Sequence, residues 1–372
     1  MKKGFTLVEL LAVIVIIGVL SVLIVPKITK TLNDSEEKIN LASANELLKA
    51  AEYQYERNEI TGINENLEIN YTTGQNIDKL EFNGETPEKG KIRITNEGNI
   101  SMAVKIGDKC YIKTFGSKDI TNQEYNEETC IVPTPSFETD SWSTIKSNLI
   151  FDRSAYNIGD TKEVVIDNVS YTVRLANTSS CPDNWPKTAS QTTCGVVIEF
   201  IDKISEHEMN SRTTNVGGWP ASEMRSYLNE TIFNKLPEEL KANGMILDTS
   251  VVSGSNQEVS PNCTITNFTS TDKLYLLSYV EVWGSNDRWN WDNVKLVSDT
   301  VTDGTRGLEY YETTGSTKVK NTTEGTSKIW WLRSAYSGDP YEFLSVNTDG
   351  TFYVSVAHYS YGGVAPAFRI LD

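Results

Sequence analysis

Histidine is nearly missing from this chain: its 372 residues hold only His207 and His358. A Ser–His–acid or Cys–His site needs an imidazole beside a nucleophile, which spacing alone does not show for either histidine. His207 stands between Glu206 and Glu208 and reads as a solvent-facing or salt-bridging residue; His358 falls in a Tyr/Ser-rich segment. Basic residues are short as well. Lys and Arg number 34 against 50 Asp and Glu, for a formal charge of −16, and no basic cluster stands out beyond Lys2 and Lys3. Nucleic acid is therefore not an expected partner. Paired carboxylates abound in so acidic a chain and none singles itself out, so no catalytic residue is assigned and the chain is read as a non-enzyme. Cysteines number five, with no histidine near the first two, which removes support for a metal site there. No A-x-A cleavage site follows the first apolar segment, which argues against an ordinary secretory signal.

What the chain does have begins at once. Phe5 to Val25 is a hydrophobic run interrupted only by Thr6, Glu9, Gly18 and Ser21. As a helix it spans about 31 Å, close to the thickness of a bilayer core. The two leading lysines keep the near end in the cytoplasm and place everything after Pro26 outside. Glu9 is what a simple anchor does not explain. A carboxylate in such a segment costs about 2.5–3.5 kcal/mol on the scale of the comparable Asp, and so calls for a partner. Cleavage after Gly4 would create an α-amino group on Phe5, and the amine of a neighbouring chain would then neutralise Glu9 and align helices in a defined stagger.

The constellation Lys2-Lys3-Gly4-Phe5-Thr6-Leu7 with Glu9 resembles the type IV prepilin family. The resemblance implies a leader of residues 1–4, cleavage after Gly4 by a prepilin peptidase, N-methylation of Phe5, and Glu9 as the assembly residue. It implies a precursor held in the cytoplasmic membrane by one span and an extracellular pilus afterwards, with other pilin subunits as partners. Gly18 and Pro26 fall where pilin helices loosen during assembly. A pseudopilin of a secretion or DNA-uptake machine is the alternative.

Beyond Pro26, which should kink or break the helix, two apolar stripes continue it to about residue 62. Ile28, Leu32 and Ile39 form one; Leu41, Ala44, Leu48, Ala51 and Tyr55 form the other. Such a stripe would pack on a globular domain. From 63 to 131 the period changes to that of strands: Leu67, Ile69 and Tyr71; Ile92 and Ile94; Ile100, Met102, Val104 and Ile106. Turns at Asn96–Asn99 and Gly107-Asp108 give a small antiparallel meander of three or four strands against the helix. Cys110 and Cys130, across a loop of about twenty residues in an exported chain, suggest a disulfide.

Residues 132–139, with Pro133 and Pro135, read as a linker. Residues 140–372 read as a second, larger α+β domain: a helix at Thr144–Ile150, a hairpin around Asp167-Asn168, a central strand from Gly195 to Ile201, a helix through Ala221–Leu228 and a strand-rich end. Cys181 and Cys194 suggest a second disulfide, leaving Cys263 over. The domain resembles a family of unassigned activity on surface proteins of Gram-positive bacteria, through Trp142–Ile145, Tyr156–Asp160, Met209–Asn229, Asp272–Gly284, Trp330–Ser334 and Gly363–Phe368. It departs where Ala365 stands in place of an arginine. The arrangement around Trp219 and Trp330 also looks like a C-type-lectin-like fold.

Binding is the activity this domain suggests. Trp283, Trp289 and Trp291 lie among Asp287, Asn290 and Asp292, the mix of aromatic faces and polar groups that suits a carbohydrate or host-surface ligand. Those oxygens also suit Ca²⁺, though no EF-hand spacing appears. The competing assignment keeps these tryptophans in the core, where Trp219, Trp330 and Trp331 are placed outright.

Overall fold

A computed structural model of the protein describes residues 7–181, 190–242, 244–256, 265–284, 307–313, 315–336 and 338–372, the side chains of Glu9, Leu23, Asn256 and Ile265 excepted. The fold is α+β. The chain divides into two compact units, Met1–Thr134 and Pro135–Asp372.

The first unit is built on α1 (Leu7–Thr61), which Gly62 ends with a left-handed φ of 73°. Behind it an antiparallel sheet runs in the order β1-β2-β3-β4-β5: Leu67–Asn70, Lys89–Ile94, Ile100–Ile106, Lys109–Lys113 and Thr121–Glu124. The sheet thus has one strand more than the period suggests. Thr121–Glu124 carries no apolar residue and all four of its side chains are exposed, so it left no hydrophobic signature. Ile92, Ile94, Ile100, Met102 and Val104 point at the helix and form one core with Ala44, Leu47 and Ala51.

The contact face of the helix takes in the second expected stripe but not the first, and its most buried line is shifted. Asn40, Ser43, Ala44, Leu47, Ala50 and Ala51 are buried, whereas Leu41, Leu48 and Tyr55 are only half-buried beside them. Ile28, Leu32 and Ile39 are exposed at 53%, 63% and 57%. Small side chains decide this, because they let backbone come close. Ser43 Oγ accepts the Glu85 amide at 2.9 Å, and a Cβ on Gly84 would fall 2.7 Å from that oxygen.

The second unit begins with α2 (Trp142–Phe151), whose N-cap Ser141 accepts the Thr144 amide at 3.2 Å. The hairpin of β6 (Thr161–Ile166) and β7 (Val169–Asn177) turns at Asp167 and Asn168, both left-handed, with Ile166 opposite Val169. These strands continue into β8 (Val196–Phe200), buried at every position. Completing the chain are β9 (Ser205–Glu206), α3 (Gly218–Ala221), α4 (Glu223–Ser226), α5 (Phe233–Lys235), α6 (Glu238–Lys241), β10 (Thr249–Asn256), β11 (Ile265–Asp272), β12 (Tyr275–Leu276), α7 (Tyr279–Trp283), α8 (Glu309–Glu312), β13 (Trp330–Ala335), β14 (Glu342–Val346), β15 (Phe352–Val356), β16 (Gly363–Val364) and β17 (Pro366–Leu371). Two five-stranded sheets result, β12-β17-β8-β7-β6 and β15-β14-β13-β16-β9, with β10 and β11 as a separate ribbon. Neighbouring strands are antiparallel apart from β13 beside β16.

The helix expected through Ala221–Leu228 is interrupted. Ser222 is extended (φ −74°, ψ 144°), donates to Trp219 O and accepts the Arg225 amide, so it closes α3 and opens α4. A π-helical stretch, Tyr227–Ile232, then leads into α5.

Candidate assembly helix and candidate binding module

Among the described residues of the first unit, none covers the first half of α1. Leu7, Ile14 and Val22 are exposed at 80%, 62% and 74%, and a Cβ placed on Gly18 would meet nothing within 4 Å beyond its own helix turn. Hydroxyls along the helix turn inward on its own backbone. Ser21 Oγ donates to Ile17 O at 2.7 Å, Thr29 Oγ1 to Val25 O at 2.9 Å, Thr31 Oγ1 to Lys27 O at 2.9 Å and Ser35 Oγ to Thr31 O at 2.7 Å. The helix runs through Pro26 without the expected break, since proline removes one amide donor while the rest of the ladder persists. This is the one described helix long and apolar enough to cross a membrane. Glu9 lies on it, while Gly4 and Phe5 lie outside the described residues.

Elsewhere in the first unit, Cys110 and Cys130 form a disulfide. The outer face of the sheet carries a groove of about 310 Å³ lined by Lys89, Lys91, Arg93, Tyr125 and Ile131. Each cation there already has an acid: Lys89 pairs with Glu127 at 2.9 Å, and Lys91 and Arg93 both pair with Glu68 at 3.0 Å. Two of these three cations share one carboxylate, so every cation is paired although the charges do not balance one for one.

In the second unit the sequence-selected ligand residues are largely out of view. Asp287, Trp289, Asn290, Trp291 and Asp292, along with Cys263, lie outside the described residues. Trp283 is half-buried against the core, its ring stacked on Tyr279 at 4.6 Å. Trp219, Trp330 and Trp331 are fully buried. Tyr341, Tyr353 and Tyr361 are exposed at 41%, 48% and 64%, and Tyr361 meets Tyr359 edge-on at 5.9 Å. His207 is half-buried rather than solvent-facing, its ring stacked on Tyr227 at 4.1 Å; His358 is exposed, with Nδ1 2.8 Å from Thr213 Oγ1. Cys181 and Cys194 form a disulfide.

Three buried carboxylates were invisible among the chain's many acids. Glu281, wholly buried, receives Arg333 in a two-pronged pair at 2.6 and 2.7 Å and also accepts the Thr192 hydroxyl. The same carboxylate accepts the Ser278 amide at 2.8 Å, closing a capping box on α7. Glu199 on β8 is held by Arg174 at 2.8 Å, Lys320 at 2.9 Å and the Tyr311 hydroxyl at 2.9 Å. Burial pushes the Glu199 carboxyl up, but Arg174 and Lys320 outweigh it and hold it below the ordinary carboxylate value. Lys320 is pulled down to about 8, burial outweighing Glu199. Asp272, at the end of β11, accepts Trp219 Nε1 at 2.8 Å, Arg225 Nε at 2.6 Å and the Ser270 hydroxyl at 2.6 Å.

Many of the residues that stand out in the sequence are thus internal fastenings. Asn215 Nδ2 reaches the carbonyls of Tyr336, Asp339 and Glu342 at 2.8–2.9 Å, and Asn229 Oδ1 accepts the amides of Lys273 and Leu274 at 2.9 and 3.0 Å. Arg333, Trp219 and Arg225 do equivalent work. They hold the fold together from inside.

The exposed apolar half of α1 coincides with a recognised signature. Residues 1–25 match the prokaryotic N-terminal methylation motif. The chain therefore carries a type IV pilin-like or pseudopilin-like N-terminus, a motif that implies assembly with other pilins and processing by a prepilin peptidase, and that fits a membrane-anchored precursor. Residues 195–371 match a domain of unknown function, DUF6273. The match starts just before β8, yet β8 is paired with β7 in one sheet, so the folded unit reaches further towards the N-terminus than the match. No curated protein and no solved structure matches the chain significantly.

Proposed function

We propose that this protein is a type IV pilus subunit in a minor or tip position, inserted in the cytoplasmic membrane before assembly with its C-terminal unit outside. Gly4 is the cleavage position, Phe5 the methylated N-terminus and Glu9 the acid that meets a neighbour's amine; Gly18 and Pro26 are where the helix loosens. One observation carries the assembly half of this reading: an apolar helix that starts at a methylation motif and is left bare by its own head. The exposed stripe of Ile28, Leu32 and Ile39 extends that bare surface beyond the span of a bilayer. The bulk of residues 140–372 favours low copy number, because such a mass on every subunit would crowd a thin fibre. The C-terminal unit serves display and adhesion, through exposed tyrosines and the tryptophan-rich segment 283–292, to a carbohydrate or host-surface ligand.

Mass spectrometry of the mature N-terminus, on sheared surface filaments and on membranes, tests this. N-methylated Phe5 in the filament fraction, at a small fraction of the main subunit, is the expected result. A chain that keeps Met1 or Lys2 and stays in membranes overturns it. Processed chain with no surface filament, accompanied by a secretion or transformation defect on deletion, would assign it to a pseudopilus instead.

A further inference from the structure

Lys30 and Asp34 stand four residues apart, cation before acid, as the Phe5 amine and Glu9 would after cleavage. The two pairs are separated by the same interval, 25 residues from Phe5 to Lys30 and from Glu9 to Asp34. At about 100° per residue this is about 20° short of seven full turns, so both pairs lie on one face of the helix. From Glu9 to Asp34 the structure keeps that phase, because α1 is unbroken from Leu7 to Thr61; Phe5 lies outside the described residues.

Lys30 and Asp34 are exposed, and among the described residues neither forms an ion pair or side-chain hydrogen bond, with each other or with anything else. Within one helix, cation before acid at this spacing is the weaker orientation. Between two parallel helices offset by four residues, the two side chains come level.

We propose that Lys30 of one chain pairs with Asp34 of a second copy, repeating about seven turns higher the four-residue stagger that brings the Phe5 amine to Glu9. The inference rests on the pilin reading and adds to it. Copies of this chain adjoin one another, so even a scarce subunit forms a contiguous patch. The competing register is a seven-residue stagger. It would set Lys27 against Asp34 and Lys30 against Glu37, but would leave Glu9 level with residue 2, which the leader carries away.

Charge reversal in the full-length chain, made by cells that assemble it, tests the pairing. Lys30→Glu alone or Asp34→Lys alone should lower the amount of this chain in sheared filaments by about fivefold. Co-expressing the two single variants should restore it in trans, which a pair within one helix cannot do. Co-expressed Lys30→Cys and Asp34→Cys chains should give an oxidised dimer in filaments, absent from the mixture of Lys27→Cys and Asp34→Cys. Failure of trans restoration, or cross-linking through residue 27 in place of 30, overturns the proposal. The N-terminus is read by mass spectrometry in the same samples. Methylated Phe5 in filaments with no pairing sinks this inference alone; an uncut N-terminus sinks the pilin reading with it.

Discussion

The two units solve the problem of an interior in opposite ways. In the first, Ala44, Leu47 and Ala51 meet Ile69, Ile92, Met102 and Val104, while ion pairs such as Arg93 with Glu68 and Lys49 with Glu46 stay near solvent. In the second, Glu199, Glu281 and Asp272 are inside, each locked to a cation. A core of the first kind gains stability with every apolar atom it covers and tolerates changes of detail. A core of the second kind gains little net energy from its ion pairs, because desolvation offsets attraction, but it penalises any arrangement that separates the partners. The helix–sheet head has to dock one helix. The larger unit has to bring α7, β13 and the Thr192 turn together, and Glu281 with Arg333 does so.

The contrast can be broken most decisively at Glu281. Glu281→Ala strands Arg333 inside and should cost about 3–5 kcal/mol, read as a lowered unfolding midpoint of the second unit in the detergent-solubilised full chain. Replacing both partners by apolar residues of similar volume should cost much less. A single change costing under about 1 kcal/mol would show that the pair is not dry. Next in size is Leu47→Ala, which leaves a cavity between helix and sheet. It should cost about 3 kcal/mol and expose residues 63–131 to protease while the second unit stays resistant.

A pH titration sharpens the comparison. Glu199 is held below its ordinary value of 4.5 in the folded state. On acidification the unfolded chain therefore takes up its proton first. The stability this group contributes is present above about pH 4.5 and falls as pH drops through the folded-state value. Glu199→Gln should lower stability at neutral pH and flatten that acid limb, measured by thermal unfolding across pH 3–7. The smallest effect belongs to the first unit's surface. Glu68→Gln breaks two pairs near solvent and should move stability by less than about 1 kcal/mol; a larger loss would mean the outer sheet face is covered in the assembled state.

Much of the fold was legible because local chemistry and global placement agree. Asp167-Asn168 between two alternating apolar runs gave the hairpin, and both residues adopt the left-handed turn that such pairs favour. The strand at Gly195–Ile201 read as central and lies third of five in its sheet. The stripe from Leu41 to Tyr55 does face the core, but Ile28, Leu32 and Ile39 do not, and the most buried line was missed because hydrophobicity was counted and size was not. Ser43 brings the helix against the Gly84-Glu85 loop and Ala50 is buried, whereas Ile28 and Leu32 lie outside that contact. The buried acids were missed through abundance, yet two left marks. Glu199 interrupts the otherwise apolar Val196–Phe200, and Ser278 precedes Glu281 by the three residues of a capping box. The tryptophan-rich segment 287–292 gave a ligand hypothesis from composition alone, and composition does not fix which rings face outward.

One feature of α1 bears on its two environments. Ser21, Thr29, Thr31 and Ser35 each spend their hydroxyl hydrogen on a carbonyl one turn back. A subunit that leaves lipid for a bundle of sister helices must not strand a polar group during the exchange, since nothing in hydrocarbon would satisfy it. Ser21, the one of the four within the apolar span, need not change partner on the way. On the proposed pilin reading, bilayer and filament interior are interchangeable solvents for the hydrogen bond of Ser21, and the direction of travel is left to charge and shape.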